Sequence, residues 1–306
     1  IGDMRLFFSS QPTYGLGSGP ASSKLAYNSI EFNDNITQPV DGEQVMNFNL
    51  VRIYQTVLKK VKQNFYVGLG YHLDSYFQIE DQLLDLDADT PIITSHYAYS
   101  TKYGFDSKKY TASGVSINTT FDSRDNINSP YSGRFAMLSY RYNPELLGSS
   151  KDFSSLWAEY RDYLSLSKNN PKAVLAFWLY GNIITTGDAP YMALPALGWD
   201  QMGKSGRAYA QGRFRGNSQV YGEVEARIPL PLKIKEKELF GFTAFVNAST
   251  LSSKDNDIDL FKYVNPGYGI GLRILLSEKA RTNITMDYGW GSYGAGAFYL
   301  NLNEYF

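Results

Sequence analysis

The 306-residue sequence contains no cysteine and only 2 histidines. The first absence excludes disulfides and thiolate metal sites, and the second leaves little from which to build an imidazole site. No run approaches the roughly 20 consecutive apolar residues that a spanning helix requires, and mean hydropathy is only -0.32. The opening residues, IGDMRLFF, have neither the basic nor the apolar region of a signal peptide, so an exported form is expected to have lost its signal. With a formal net charge of -1, no nucleic-acid partner is implied. Aromatic residues, in contrast, are abundant, at 15% of the chain with 25 Tyr and 18 Phe. Such a supply suits aromatic girdles at two membrane interfaces.

The last stretch, residues 280 to 306, carries the clearest pattern. Thr282, Ile284, Met286, Tyr288 and Trp290 fall on one face at period two, and Arg281, Asn283, Thr285, Asp287 and Gly289 on the other. After a Gly-rich turn the alternation resumes with Phe298, Leu300, Leu302 and Phe306 against Tyr299, Asn301, Asn303 and Tyr305. Such strands of about ten residues, apolar on one side and polar on the other, fit a transmembrane β-barrel. They also fit a soluble antiparallel sandwich. The connections discriminate between the two.

Strands are expected near 2–9, 44–59, 64–79, 110–123, 132–144, 152–165, 172–185, 217–229, 238–250, 265–276, 280–291 and 295–306. The joints at 60–63, 124–131, 166–171, 230–237 and 277–279 are short. Those at 10–43, 80–109, 186–216 and 251–264 are long and interleave with them, while 145–151 and 292–294 break the pattern by being short. Short turns at one rim and long loops at the other describe the periplasmic and extracellular ends of an outer-membrane barrel. The polar faces carry charge: Tyr66, Gly68, Gly70, His72 and Asp74 oppose Phe65 to Leu73, and Gln219, Tyr221, Glu223, Glu225 and Arg227 oppose Val220, Val224 and Ile228. The fold class is therefore all-β, one transmembrane antiparallel barrel domain over residues 1–306 with about twelve strands, no internal repeat, and a long loop at 186–216.

Several segments resemble the BamA/TamA bacterial surface antigen superfamily. DSRDNINSPYSG, Asp122 to Gly133, is similar to a turn in which an Asp-x-Arg-Asp strand end precedes a Pro and a Gly. SGRAYAQGRFRG, Ser205 to Gly216, resembles the family's long sixth-loop motif, whose core is Arg-Gly-Tyr or Arg-Gly-Phe. EARIPL from Glu225, FTAFVNAST from Phe242, GYGIGLRILL from Gly267 and the closing FYLNLNEYF follow in the family's order. The resemblance covers about residues 110–306 well and the earlier part loosely. Ala208 stands where the family usually has Gly, and Asn247 where an inward Asp is usual. The family barrel has sixteen strands, five after the long loop; this chain has five there, so a sixteen-stranded form would need N-terminal strands outside this sequence.

The resemblance implies a protein of the Gram-negative outer membrane that inserts or translocates polypeptides, or in some branches lipids, with no catalytic residue, cofactor or metal. Its implied partners are outer-membrane lipid or lipopolysaccharide, nascent outer-membrane or secreted polypeptides, and periplasmic or membrane partner subunits. A passive porin-like channel is the second reading.

Arg207 is the first candidate side chain. With the long loop folded inward, its guanidinium would meet Glu225 or Glu223, with Asp287 a further candidate, because a charge in a barrel interior needs partners and the Arg fork suits carboxylates. Tyr209, Arg213 and Asn247 belong to the same expected anchor. The alternative is a solvated loop arginine. Asp122, Arg124 and Asp125, ahead of Gly133, are expected to shape a short periplasmic turn. Phe298, Leu300, Leu302 and Phe306 form the terminal-strand signal. His72 and Asp74 share an inward face, which raises the third reading, a barrel-embedded hydrolase with a His base; no aligned nucleophile is identifiable, and a lumen-lining polar pair is the plainer account. His96 lies in an expected loop without a nameable partner. GWGSYG, from Gly289 to Gly294, has the spacing of a dinucleotide fingerprint but is followed by a strand where that motif needs a helix.

Overall fold

The computed structural model describes residues 2–13, 16, 43–200, 203–234 and 237–306. Twelve strands form one antiparallel sheet in which each strand pairs with its neighbours in sequence. They are β1 (Gly2–Thr13), β2 (Gln44–Lys62), β3 (Phe65–Asp81), β4 (Lys109–Asp122), β5 (Gly133–Asn143), β6 (Phe153–Ser165), β7 (Val174–Gly187), β8 (Ser218–Pro229), β9 (Phe240–Ser252), β10 (Asn265–Ser277), β11 (Thr282–Gly291) and β12 (Gly296–Leu302). One helix, α1 (Ser95–Lys102), lies in the loop between β3 and β4, where Thr94 caps it by accepting from the Tyr97 amide.

The sheet is built inside out relative to a soluble sandwich. Every strand exposes at least one large apolar residue on its outer face: Leu6, Val57, Leu69, Ile117, Leu138, Tyr160, Leu179, Ile228, Val246, Leu272, Tyr288 and Leu300, in strand order. The opposite faces bury Arg52, Asp74, Arg161, Glu223, Glu225, Arg227, Arg273 and Asp287. A sandwich buries its apolar face; a barrel in lipid presents it.

Contacts between strands that are not neighbours show how the sheet curls. Arg141 of β5 reaches Tyr54 of β2, Trp178 of β7 packs on Phe306, and Asn128 of the β4–β5 turn donates to the Ala280 carbonyl between β10 and β11. The inner face thus encloses a lumen. Among the described residues β1 and β12 are not paired with each other, so the sheet has an unjoined seam.

The loop from β7 to β8 enters that lumen and completes the core. Its Tyr191, Met192 and Leu194 join Met46, Phe48, Leu50, Tyr76 and Tyr99 in one cluster. Its Leu197, Tyr209 and Phe214 join Trp178, Tyr180 and Tyr221 in a second.

The last strand ends earlier than the alternation predicts. The expected strand over 295–306 would put Phe306 outside with Phe298, Leu300 and Leu302. Those three are exposed, but β12 stops at Leu302, and Asn303 adopts φ 68°. Asn tolerates that left-handed region better than most residues. The chain then turns inward, and Tyr305 and Phe306 are buried. Phe306 packs on Trp178 at a ring separation of 5.3 Å, so the terminal aromatic faces the lumen and not lipid.

Candidate functional site

Strands β8, β9, β10 and β11 aim their inward side chains at one point, and the loop delivers Arg207 to it. Arg207 is 1% exposed. One terminal nitrogen donates to Glu223 and Glu225, and the other donates to Asp287 Oδ2 at 3.1 Å. The guanidinium lies between two rings, 3.7 Å from the centroid of Phe245 and 4.1 Å from that of Tyr305. Burial opposes its charge, but Glu223, Glu225 and Asp287 outweigh burial and hold its pKa well above the ordinary arginine value.

Two further arginines complete the cluster. Arg227 donates to Glu225 Oε1 at 2.6 Å, and Arg273 donates to Asp287 Oδ1 at 2.6 Å and Glu304 Oε2 at 2.8 Å. Arg273 also reaches Glu225 Oε2 at 3.3 Å. Four carboxylates and three guanidiniums therefore form one buried network, with Glu304 supplied by the inward-turned tail. That tail is held by the Phe306 carbonyl, which accepts from Arg227 at 3.0 Å, and by the Glu304 carbonyl, which accepts from Lys204 Nζ at 2.7 Å.

The loop backbone is fixed as firmly as its side chain. Asn247 Nδ2 donates to the Arg207 carbonyl at 2.9 Å, and the Ala208 amide donates to the Tyr299 hydroxyl at 2.9 Å. The Tyr209 hydroxyl accepts from the Ser292 amide at 2.9 Å and donates to the Pro266 carbonyl. Ala208 sits at φ 112°, a region that favours glycine. Room for its methyl comes from β11, because a Cβ at Gly289 would lie 2.9 Å from the Ala208 nitrogen and 3.2 Å from its Cβ.

Of the anchor residues expected from sequence, Arg207, Tyr209, Glu223, Glu225, Asn247 and Asp287 meet here. Arg213 does not; it is half-buried beside Phe214. Arg227 and Arg273 occupy inward positions that alternation marks. Glu304 carried no such signal, because the break at Asn303 reverses the faces after it.

The turn from Asp122 to Gly133 is a second centre. Arg124 grips Asp122 through Nε at 2.9 Å and a terminal nitrogen at 2.8 Å. Asp125 accepts from the Tyr131 amide at 3.0 Å and the Ser132 amide at 3.2 Å, and its other oxygen takes Arg281 from the β10–β11 turn at 2.6 Å. Gly133 has φ 100°, and a Cβ there would meet the Ser123 carbonyl oxygen at 2.3 Å. The turn thus reaches across the lumen mouth to another turn and is more than a local network.

His72 Nε2 lies 2.7 Å from Ser116 Oγ, a partner that sequence did not reveal. Among the described residues no carboxylate orients the pair, because Asp74 is engaged by Arg52, Tyr54 and Arg141. Ser116 is also buried, at 2% exposure. This is a lumen-lining arrangement without the geometry of a nucleophile and base held for attack. His96 is buried in α1 and meets Asp81 Oδ2 through Nδ1 at 2.8 Å. Among the described residues no group of three or more His, Asp or Glu side chains is arranged to hold a metal ion.

A search of curated proteins returned no significant match. Among solved structures the chain is similar to BamA from Haemophilus ducreyi lacking POTRA domains 1-3, with a TM-score of 0.58 and 16% sequence identity over 83% of this chain. The chain spans 55% of that protein's length, and at this identity the likeness concerns the fold alone. The Omp85 superfamily domain model matches residues 21–306. With the twelve-stranded inside-out sheet and the loop anchored in its lumen, that match establishes the relationship: the chain belongs to the Omp85 superfamily.

Proposed function

We propose that this barrel inserts or translocates polypeptides at the outer membrane, acting through the seam between β1 and β12. The observation that carries the reading is the state of those two edges. β12 has 7 residues against 19 in β2, pairs only with β11, and is cut short by the inward turn at Asn303. An unjoined edge offers N–H and C=O groups to an incoming strand, which can add by β-augmentation. The clients would be nascent outer-membrane or secreted polypeptides, with lipid as the alternative cargo, and periplasmic or membrane partner subunits would deliver them.

The loop and tail anchored across the lumen support this reading over a passive channel. The anchored loop and the tail occupy the space through which a porin would conduct. Reconstitution into liposomes tests the choice: the chain should accelerate insertion of an unfolded client barrel while showing small single-channel conductance. Large conductance with no effect on client insertion would favour the channel and overturn the proposal.

A further inference from the structure

The loop fills only part of the lumen. Beneath β2, β3, β5, β6 and β7 a cavity of about 160 Å³ remains, roofed by Met192, Leu194 and Trp199 of the loop. The inward face of β2 shows which way it opens. Leu50 and Arg52 are buried, Tyr54, Thr56 and Leu58 are half-buried, and Lys60 is exposed. Because β2 descends to the short-turn rim, the cavity opens to the aqueous side at that rim and is closed toward the long loops.

At the closed end two guanidiniums share one carboxylate. Asp74 accepts from Arg52 Nε, from a terminal nitrogen of Arg141 at 3.1 Å and from the Tyr54 hydroxyl at 2.6 Å. Arg141 spends its other terminal nitrogen on the Ala112 carbonyl at 3.0 Å and the His72 carbonyl at 3.4 Å. Arg52 is different. Its side chain is 9% exposed, and it donates to Asp74 through Nε alone. Its guanidinium lies 5.0 Å from the Tyr54 ring centroid and 5.6 Å from that of Trp199, and among the described residues no hydrogen-bond acceptor meets its two terminal nitrogens. Asp200, the other carboxylate on the wall, accepts from the Ser205 hydroxyl and amide and from the Lys204 amide. The pocket therefore presents a buried arginine fork short of an anionic partner, and such a fork favours a carboxylate or phosphate held by two parallel hydrogen bonds.

We propose that this cavity binds a small water-soluble amphiphile with a carboxylate or phosphate monoester head and an aromatic or short alkyl body. The head meets the terminal nitrogens of Arg52. The body lies against Met137, Phe153, Trp157 and Met192, which also line the cavity. Lys60 toward the mouth favours anions on the way in. The ligand comes from the aqueous side, because the opening faces the rim and strands β2 to β7 behind the cavity are continuous sheet.

Phenyl phosphate is the probe, titrated into the full chain in detergent and followed by calorimetry. Saturable binding at one site with a sub-millimolar Kd is expected, with inorganic phosphate and the neutral benzyl alcohol each at least tenfold weaker. Arg52→Gln should weaken phenyl phosphate at least tenfold while leaving heat-modifiable migration unchanged. Ser139→Phe keeps the Arg52–Asp74 pair, fills the cavity from the opposite wall and should abolish binding; if Arg52→Gln fails to fold, this variant decides alone. Absence of saturable binding, equal affinity for benzyl alcohol or inorganic phosphate, or binding that survives Ser139→Phe would overturn the proposal.

Discussion

Replacing Arg207 by Ala removes the guanidinium that ties the loop to the barrel wall, and the network itself indicates how much stability goes with it. Its three carboxylates do not lose equally. Glu225 keeps Arg227 and Arg273, and Asp287 keeps Arg273. Among the described residues Glu223 keeps no cation, only the Tyr221 hydroxyl and the Asn247 amide. One buried carboxylate is therefore stranded, not three, which places the loss at the lower end of the range for breaking a buried pair, about 3 kcal/mol. The strongest coupling should accordingly be with Glu223, although Glu225, into whose strand the loop runs directly, is the partner that sequence singles out first. The assay is urea unfolding in detergent, followed by heat-modifiable migration, on Arg207→Ala, Glu223→Gln and the double variant. Glu223→Gln should recover about 2 kcal/mol of the Arg207→Ala loss, because the stranded charge is gone. Additive effects within about 0.5 kcal/mol would refute the reasoning.

Ala208→Gly should stabilise the barrel by about 1 kcal/mol in the same assay, since relief of a backbone strain of roughly 1–3 kcal/mol outweighs roughly 0.8 kcal/mol for one buried methyl; a loss of stability would contradict the strain at φ 112°. Asn247→Asp puts the family's usual residue at this position and should nevertheless cost about 2 kcal/mol, because it exchanges an amide that donates to the Arg207 carbonyl and Glu223 for a carboxylate facing both; a neutral result would contradict the role given to the Asn247 amide. Acid should loosen the Asp122–Gly133 turn: burial pushes Asp125 up, but Arg281 and the Tyr131 and Ser132 amides hold it below the ordinary carboxylate value. A lowered pKa contributes stability above the ordinary value of 3.8 that is lost as pH falls through the folded value. Between pH 5 and 3 the wild type should therefore lose more of its urea midpoint than Asp125→Asn, and parallel curves would count against the turn network.

Sequence alone was informative wherever a period-two pattern met a lipid face. Phe65, Leu69 and Tyr71 alternate with Gly70, His72 and Asp74 because one side must be greasy and the other hydrated, and the strand and its direction follow from that. The charges on the inner faces of β8 and β11 were readable for the same reason, as was the need of a loop arginine for carboxylates. Residues after Leu302 were not readable in this way. A single left-handed Asn303 inverts the faces, and the reward for inversion, Glu304 on Arg273 and Phe306 on Trp178, lies on strands 31 and 128 residues away. The Ser116 partner of His72 and the reach of Asp125 to Arg281 were hidden similarly, since both are set by how the sheet curls and not by local pattern.

The most direct test of the seam is to lock it. Cysteines at Met4 or Leu6 of β1, scanned against Phe298, Leu300 and Leu302 of β12, would form disulfides free of competition in a chain that has no cysteine of its own. A locked pair should abolish client insertion in liposomes, with full recovery on reduction. Undiminished insertion by a barrel shown to be crosslinked would contradict the account.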